Sequence, residues 1–172
     1  MIESRVGNMR KGLLDMIAFI HGERSTFGMT LIEIGTYKGD SAVIFADHFK
    51  HVTCIDAWDD ALFNVPGTTA KEAEAFFDAR IKVLPNITKI KNHSLDTSLD
   101  GSLKADVIYV DASHDYESVK ADLQEWRSHA RAYICGHDYW PNRFPGVVKA
   151  VNEVFGRPFK TFCDTSWLVR VS

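Results

Sequence analysis

The fold is decided by one stretch of the sequence, Leu31-Ile32-Glu33-Ile34-Gly35-Thr36-Tyr37-Lys38-Gly39-Asp40-Ser41. It joins an apolar strand to a helix through a turn that has a glycine at each end, Gly35 and Gly39. Glycine allows positive φ and a close approach of the backbone to a bound molecule, and the free amides of the helix start point towards that molecule. The stretch therefore predicts a turn that binds a nucleotide-like ligand.

The acidic residue Asp56 ends the next apolar run, which begins at His51. It follows the turn by about 20 residues, the separation at which an acid beside a dinucleotide-type site accepts hydrogen bonds from the ribose hydroxyls. The turn and Asp56 together predict a cofactor that contains adenosine. We place Ala57 and Trp58, which follow Asp56, in the same cofactor site.

The residue at position 37 narrows the choice of cofactor. A dinucleotide fingerprint needs glycine at the third place of the turn, and Tyr37 would crowd a pyrophosphate there. S-adenosylmethionine carries no phosphate, and an acid such as Glu33 favours its positive charge. A P-loop is excluded because no glycine followed by Lys and Ser or Thr closes the turn. The turn therefore favours S-adenosylmethionine, with Thr36 and Ser41 among the residues that contact it.

Length and composition predict a single domain over residues 1–172. Apolar residues make up 45% of the chain, and no run approaches the ~18 apolar residues of a membrane span. The formal net charge of −3 gives no electrostatic case for nucleic acid, so a small molecule is the expected partner. Residues 1–30 carry scattered charges without a secretory pattern, which predicts a cytoplasmic protein. The unclustered cysteines Cys54, Cys135 and Cys163 are expected to be reduced and buried.

Apolar runs of strand length alternate with stretches of helical periodicity, which is typical of a parallel sheet covered by helices on both faces. The last two runs are separated by residues 164–166 alone, so they must pair as an antiparallel hairpin. Residues 59–69 have the composition of a flexible flap beside the site. The predicted helices are 7–22, 40–49, 70–84, 115–130 and 146–155, and the predicted strands are 30–34, 51–55, 88–92, 105–110, 131–136, 159–163 and 167–171.

Polar residues follow the predicted strands, at the edge of the sheet where ligands bind in open parallel sheets. Asp111 and Asp138 come after strands four and five, so the two carboxylates can surround one hard divalent cation. Such an ion would hold a vicinal diol or ketol of a substrate. His114 lies three residues after Asp111, and an imidazole with a pKa of ~6.5 is suited to remove a hydroxyl proton at neutral pH.

Other interpretations of these residues stay open. His114 is equally consistent with a surface residue at a helix start, and Asp111 with an N-terminal cap. His137 is a residue that orients Asp138, a substrate contact, or a buried histidine with satisfied hydrogen bonds, the last being favoured. A group of aromatic residues either forms a wall of the site or simply packs: Tyr37, Trp58, Tyr139 and Trp140.

The stretch from Glu33 to Ser41 closely resembles the cofactor turn of catechol-type O-methyltransferases. Three more motifs resemble a bacterial branch of small-molecule and macrolide-sugar O-methyltransferases: Tyr109-Val110-Asp111-Ala112-Ser113-His114-Asp115-Tyr116, Gly136-His137-Asp138-Tyr139 and Phe144-Pro145-Gly146-Val147. The chain thus resembles class I S-adenosylmethionine-dependent methyltransferases over nearly its whole length. One departure is Tyr139, which stands where catechol-type enzymes have Asn as a third metal ligand.

The resemblance implies a Rossmann-like, doubly wound sheet of seven mostly parallel strands, with the antiparallel strand supplied by the C-terminal hairpin. It also implies that Glu33, Gly35 and Gly39 line the methionine part of the cofactor, that Asp56 binds the ribose and that Ser94 lies near the adenine.

For the chemistry, the resemblance implies that Asp111 and Asp138 bind magnesium, with Asp111 also beside the cofactor, and that His114 is the general base. We expect methyl transfer to a hydroxyl of a small molecule, with a sugar or glycosylated metabolite as the substrate. Substrate recognition would fall to the 59–69 loop, the 140–146 loop and a partner subunit in a homodimer. One alternative is a non-catalytic cofactor-binding module of the same fold. Another is a nicotinamide-dependent oxidoreductase, which Tyr37 disfavours.

Overall fold

Helices and strands alternate from the first helix to the final hairpin. The computed structural model describes residues 6–61 and 67–171. The helices are α1 (Asn8–Glu23), α2 (Asp40–His48), α3 (Ala70–Ile81), α4 (Ser94–Ser98), α5 (Tyr116–Trp126) and α6 (Pro145–Phe155). The strands are β1 (Thr30–Ile34), β2 (His51–Asp56), β3 (Ile87–Lys91), β4 (Ala105–Val110), β5 (Ala130–Gly136), β6 (Lys160–Thr161) and β7 (Trp167–Arg170). A short 3-10 helix, Thr26–Gly28, precedes β1.

The strands form one seven-stranded sheet in the order β3-β2-β1-β4-β5-β7-β6. Strands β1 to β5 are parallel to one another, whereas β7 is antiparallel to both β5 and β6. The predicted doubly wound, mostly parallel sheet with a C-terminal antiparallel hairpin is therefore confirmed. The strand order reverses between β1 and β4, and ligands of open α/β sheets bind beyond the carboxyl ends of the strands at such a point.

Helices cover both faces of the sheet because side chains alternate between the faces along each buried strand. On one face α1, α2 and α3 pack through the fully buried Leu13, Phe45 and Phe77. On the other face α5 and α6 pack through Trp126 and Val151. The central strands β1 and β4 are consequently buried on both sides, which fixes the residues at their carboxyl ends. Within the described ranges, no helix has both the length and the apolar character needed to cross a membrane.

Several element ends differ from the prediction. Helix α4 was not predicted because five residues are too few to show an apolar periodicity, and α3 and α5 end about one turn early. β6 has only two residues, shorter than the predicted 159–163, and is one of the two edge strands of the sheet. Cys163 therefore lies beyond β6 and is exposed, which corrects the prediction that all three cysteines are buried. Residues 62–66 of the predicted flap lie outside the described residues.

Gly12 lies in α1 directly against the turn between β6 and β7. A Cβ at this position would lie 2.1 Å from Oδ1 of Asp164, whose side chain is fully buried. Alanine normally stabilises a helix interior by about 1 kcal/mol relative to glycine. Here we expect Gly12→Ala to lower the free energy of unfolding, by about 1–3 kcal/mol, because the core is overpacked.

Urea unfolding measures this effect, and Gly22→Ala is the matched control in the same helix. Within residues 6–61 and 67–171, a Cβ on Gly22 would meet no atom closer than 4 Å, so its replacement by alanine should be neutral or stabilising. Equal stabilisation by both substitutions would contradict the tight contact between α1 and Asp164.

Candidate functional site

The turn between β1 and α2 depends on backbone conformations that glycine adopts easily. Gly35 has a φ of +82°, and Gly39, the N-cap of α2, has a φ of +80°. A Cβ on Gly35 would lie 2.4 Å from the carbonyl oxygen of Asp111, so this glycine is required where the ends of β1 and β4 meet. Tyr37 has a φ of +50° although it is not glycine, and strain of this kind clusters at functional sites.

Asp56 contacts the turn directly. Its Oδ2 accepts hydrogen bonds from the amides of Thr36 at 3.0 Å and Tyr37 at 2.9 Å. Its Oδ1 accepts from the amide of Trp58 at 2.9 Å. The carboxylate at the end of β2 therefore holds the turn in place, and the two segments that the sequence joins into one cofactor site lie side by side.

Glu33 is fully buried beneath the same turn. Its carboxylate accepts a hydrogen bond from the hydroxyl of Thr36 at 2.7 Å and another from the hydroxyl of Ser41. The thiol of Cys54 lies 3.6 Å from Oε2. A buried carboxylate needs such donors, and here they tie β1 to the turn and to the first turn of α2.

The residues predicted to carry the chemistry converge at the carboxyl ends of β4 and β5. Asp111, His114 and Asp138 each offer one ligand atom, and these atoms lie within 4.8 Å of one another. Nε2 of His114 donates to Oδ2 of Asp138 at 2.7 Å. The Asp138 side chain is 13% exposed and the His114 side chain 47% exposed, so the carboxylate lies deeper than the imidazole. Around them a small cavity is lined by Val110, Asp111, Ser113, His114, Val119, His137, Asp138, Val147 and Trp167.

The two histidines beside Asp138 change its protonation. Burial raises the pKa of Asp138, but hydrogen bonds from His114 and His137 outweigh burial and hold the pKa well below its usual range. The hydrogen bond to Asp138 in turn raises the pKa of His114, against the effect of burial. Asp138 is therefore ionised at any pH near neutrality, as a ligand for a cation or a partner for an imidazolium must be.

The segment from Tyr139 to Phe144 carries three aromatic residues, and one of them, Phe144, contacts His114. The imidazole stacks on the ring of Phe144 with centroids 4.5 Å apart and planes 24° apart. The guanidinium of Arg143 lies 5.2 Å from the Phe144 ring and 5.8 Å from the Trp140 ring. Trp140 is 44% exposed, and the hydroxyl of Tyr139 donates to Asn152 of α6. Trp140 therefore faces solvent, whereas Tyr139 packs against α6.

A family model described as a methyltransferase domain matches residues 32–139, from β1 to the end of the β5 motif. The chain belongs to this methyltransferase domain family. The resemblance to class I S-adenosylmethionine-dependent methyltransferases that the sequence motifs indicated is confirmed. A search of curated proteins finds no match.

Several solved methyltransferase structures share the fold of this methyltransferase. CalS11, a TDP-rhamnose 3'-O-methyltransferase of calicheamicin biosynthesis, superposes with a TM-score of 0.65 at 16% identity, covering 96% of this chain and 81% of that chain. The N-methyltransferase NodS from Bradyrhizobium japonicum, bound to S-adenosylhomocysteine, gives 0.64 at 14%, covering 97% and 87%. Magnesium protoporphyrin IX methyltransferase from Synechocystis PCC 6803, with bound S-adenosylmethionine, gives 0.61 at 12%, covering 99% and 84%. At such identities the likeness concerns the fold.

The remaining predicted cofactor residues, Ala57, Trp58 and Ser94, differ in their burial and in the partners of their side chains. Trp58 is 4% exposed, its indole packs 5.1 Å from the ring of Phe77, and Nε1 donates to the carbonyl of Tyr37 at 3.0 Å. Only the backbone of Trp58 can therefore face the cleft, whereas Ala57 is half-buried. Ser94 begins α4, and its hydroxyl donates to Oδ1 of Asp122 at 2.5 Å.

Asp122 is a buried carboxylate that sequence reasoning missed. It lies on the apolar face of α5, in register with Val119 and Trp126, and burial raises its pKa to about 6. The sequence does contain a signal for it, because Asp122 is an acidic residue at a core-facing position of an amphipathic helix. Asp164 was missed as well, because Asp followed by Thr and Ser between two strands reads as an ordinary turn.

The raised pKa of Asp122 predicts a pH-dependent effect on stability. The folded-state pKa lies above the ~3.9 of an unfolded Asp, so the favourable contribution is complete below pH ~3.9 and is lost as pH rises through about 6. Asp122→Asn removes the charge, and the amide oxygen of the new side chain can still accept the hydrogen bond from the Ser94 hydroxyl. We expect the variant to be more stable at pH 8, by up to about 3 kcal/mol, and nearly unchanged at pH ~4. Urea unfolding at the two pH values tests this, and an equal effect at both would contradict a buried ionisable Asp122.

Proposed function

We propose that this methyltransferase transfers the methyl group of S-adenosylmethionine to a hydroxyl of a small molecule, with a sugar or glycosylated metabolite as the substrate. The observation that carries the proposal is the convergence of Asp111, His114 and Asp138 at the strand ends beside the glycine turn. The sugar O-methyltransferase CalS11, which shares the fold, supports the choice of substrate class.

His114 is proposed as the general base. Because Nε2 donates to Asp138, the nitrogen that accepts the substrate proton is Nδ1. The substrate oxygen then attacks the methyl carbon in line with the departing sulfur, so one O–C bond forms while the S–C bond breaks. The sulfonium becomes the neutral thioether S-adenosylhomocysteine. Alignment of oxygen, methyl and sulfur with water excluded contributes much of the rate.

Magnesium is proposed to bind between Asp111 and Asp138. The donor set fits a hard cation, since it offers two carboxylates, one of which stays ionised beside the two histidines. Mg²⁺ would supply Lewis acidity that lowers the pKa of a substrate hydroxyl. Tyr139 cannot act as a further ligand in this arrangement, because its hydroxyl donates to Asn152 on α6.

The cofactor is proposed to lie along the glycine turn and the adjacent strand ends. Asp56 keeps the amides of Thr36 and Tyr37 in place, and Glu33 does the same for the hydroxyls of Thr36 and Ser41. The remaining proposed contacts are Gly35, Gly39, Ala57, Trp58 through its backbone, Ser94 and Asp111.

Calorimetric titration with S-adenosylhomocysteine, with and without Mg²⁺, tests the proposal. We expect saturable 1:1 binding that does not need the metal, since the hydrogen bonds from the amides of Thr36 and Tyr37 to Asp56 involve none of the proposed metal ligands. Methyl transfer from labelled S-adenosylmethionine to hydroxylated sugars should then depend on Mg²⁺. Binding without transfer to any hydroxylated acceptor, with chelators having no effect, would instead indicate a non-catalytic cofactor-binding module. Binding of reduced nicotinamide cofactor in place of S-adenosylhomocysteine would overturn the proposal.

A further inference from the structure

Asp138 is held in a backbone conformation that the chain must enforce. Its φ of +62° lies in the left-handed region, which Asp enters more often than most residues with a Cβ but still seldom. Such a residue persists only where its surroundings over-determine it. The turn between β6 and β7 supplies the restraint, because the amide of Tyr139 donates to the carbonyl of Thr165 at 3.0 Å. On the other side of Asp138, Nε1 of Trp167 donates to the carbonyl of His137 at 3.1 Å.

His137 connects Asp138 to a second buried carboxylate. Its Nδ1 lies 3.0 Å from Oδ1 of Asp138, and its Nε2 lies 3.9 Å from Oδ2 of Asp164, which is too far for a hydrogen bond. The His137 side chain is 6% exposed and the Asp164 side chain is fully buried. Together with His114 on the other oxygen of Asp138, the side chains form an alternating row from the open cleft to the core.

Asp164 is itself fixed by its surroundings. Its Oδ1 accepts from the amide of Ser166 at 3.0 Å, and its Oδ2 accepts from the Ser166 hydroxyl at 2.8 Å. Thr165 between them has a φ of +72°, and α1 packs on the carboxylate at Gly12. The carboxylate that faces His137 therefore cannot move away without disturbing both the hairpin turn and α1.

We propose that Asp164 and His137 are positioning residues that set the orientation of the Asp138 carboxylate and, through it, of the His114 imidazole. The Asp164 carboxylate lies 3.9 Å from Nε2 of His137, beyond hydrogen-bond distance, so it acts on the imidazole through electrostatic attraction, and Nδ1 of the same ring lies 3.0 Å from Oδ1 of Asp138. The remaining oxygen, Oδ2, is then directed at His114 in the cleft. Neither positioning residue contacts the reacting atoms. The link to turnover rests on the proposed function, whereas the link to the geometry of His114 does not.

The chain contains a matched control for the local turn. In the turn between α4 and β4, Oδ1 of Asp100 accepts from the amide of Ser102 at 3.1 Å and from its hydroxyl at 2.6 Å. This turn repeats the Asp-x-Ser hydrogen bonds of residues 164–166 at a position away from the cleft. Asp100→Asn and Asp164→Asn therefore perturb the same kind of turn, but only the second alters a neighbour of His137.

The first experiment is NMR on histidine-labelled protein without ligands. We expect Asp164→Asn to shift the ring-nitrogen resonances of both His137 and His114, while the backbone amide spectrum of the other strands is retained. Asp100→Asn should leave both histidines unchanged. If Asp164→Asn does not fold, His137→Gln breaks the same connection and should shift the His114 resonances. Unchanged His114 resonances in the folded variant, or equal shifts in Asp100→Asn, would overturn the proposal.

The second measurement separates positioning from cofactor binding. We expect Asp164→Asn to lower kcat by about 10-fold to 100-fold, the usual effect of removing an outer-shell partner of a metal ligand, here the proposed ligand Asp138. The dissociation constant for S-adenosylhomocysteine should stay within a factor of about two, because the turn at residues 35–39 is untouched. A wild-type protein that methylates no hydroxylated acceptor would count against the proposed function, while the NMR result would still decide the positioning role.

Discussion

Replacement of His114 by alanine is expected to lower turnover by about 100-fold to 10,000-fold, the contribution that a positioned general base usually makes. The imidazole lies 2.7 Å from the ionised Asp138, which fixes its orientation and leaves Nδ1 to accept the substrate proton. It is also among the more exposed of the clustered side chains, as a group that meets substrate must be. The measurement is single-turnover methyl transfer from labelled S-adenosylmethionine. Affinity for S-adenosylhomocysteine should be nearly intact, because the side-chain hydrogen bonds that hold the turn come from Asp56 and Glu33.

His114→Phe is the control that separates chemistry from packing. Phenylalanine can keep the stacking on Phe144 but cannot accept a proton. If the base role is correct, the alanine and phenylalanine variants lose similar amounts of turnover. Recovery of turnover in the phenylalanine variant would mean that His114 only supports the wall formed by Phe144. Unchanged turnover in both variants would remove the base assignment.

The fold was readable from the sequence because its signals are local. Each buried strand is a short apolar run, and the parallel order follows from helices that connect successive strands. The hairpin was readable for the same reason, since the three residues between the two predicted apolar runs are too few for a parallel crossover, and β6 and β7 do pair antiparallel. The strand ends then placed Asp111, His114 and Asp138 in one cluster before any distance was known.

What the sequence could not supply are contacts between segments far apart in the chain. The turn residue Asp164 meets His137 and the α1 residue Gly12, and no periodicity or spacing encodes that meeting. The sequence also supplied only part of the reason why position 35 is a glycine. The sequence explained it by the approach of a ligand, whereas in the structure the backbone of Asp111 and Ala112, directly after β4, lies where a Cβ would be.

Gly35→Ala is accordingly expected to damage both stability and cofactor binding. A Cβ would lie 2.4 Å from the Asp111 carbonyl oxygen and 2.5 Å from Cα of Ala112, and backbone atoms cannot rotate away. The register resists a shift as well, because the Gly35 amide donates to Ile55 and the Asp111 amide donates to Ile34. We expect a loss of about 1–2 kcal/mol from the positive φ and about 1–3 kcal/mol from the clash.

Gly67→Ala isolates the first of these two effects. Gly67 has a φ of +79°, and a Cβ there would meet none of the described residues within 4 Å, so we expect the substitution to change mainly the conformational cost. Urea unfolding of both variants should therefore show the larger loss for Gly35→Ala. Calorimetry with S-adenosylhomocysteine should show weaker binding for Gly35→Ala. The turn can relieve the strain by moving out of its binding geometry, and the cofactor must then restore that geometry. Each 1.4 kcal/mol needed for this lowers the affinity about tenfold. Equal stability losses with unchanged affinity would mean that the backbone at the end of β4 shifts to make room for the methyl group. The positive φ, and not the packing of two strand ends, would then determine the shape of the turn.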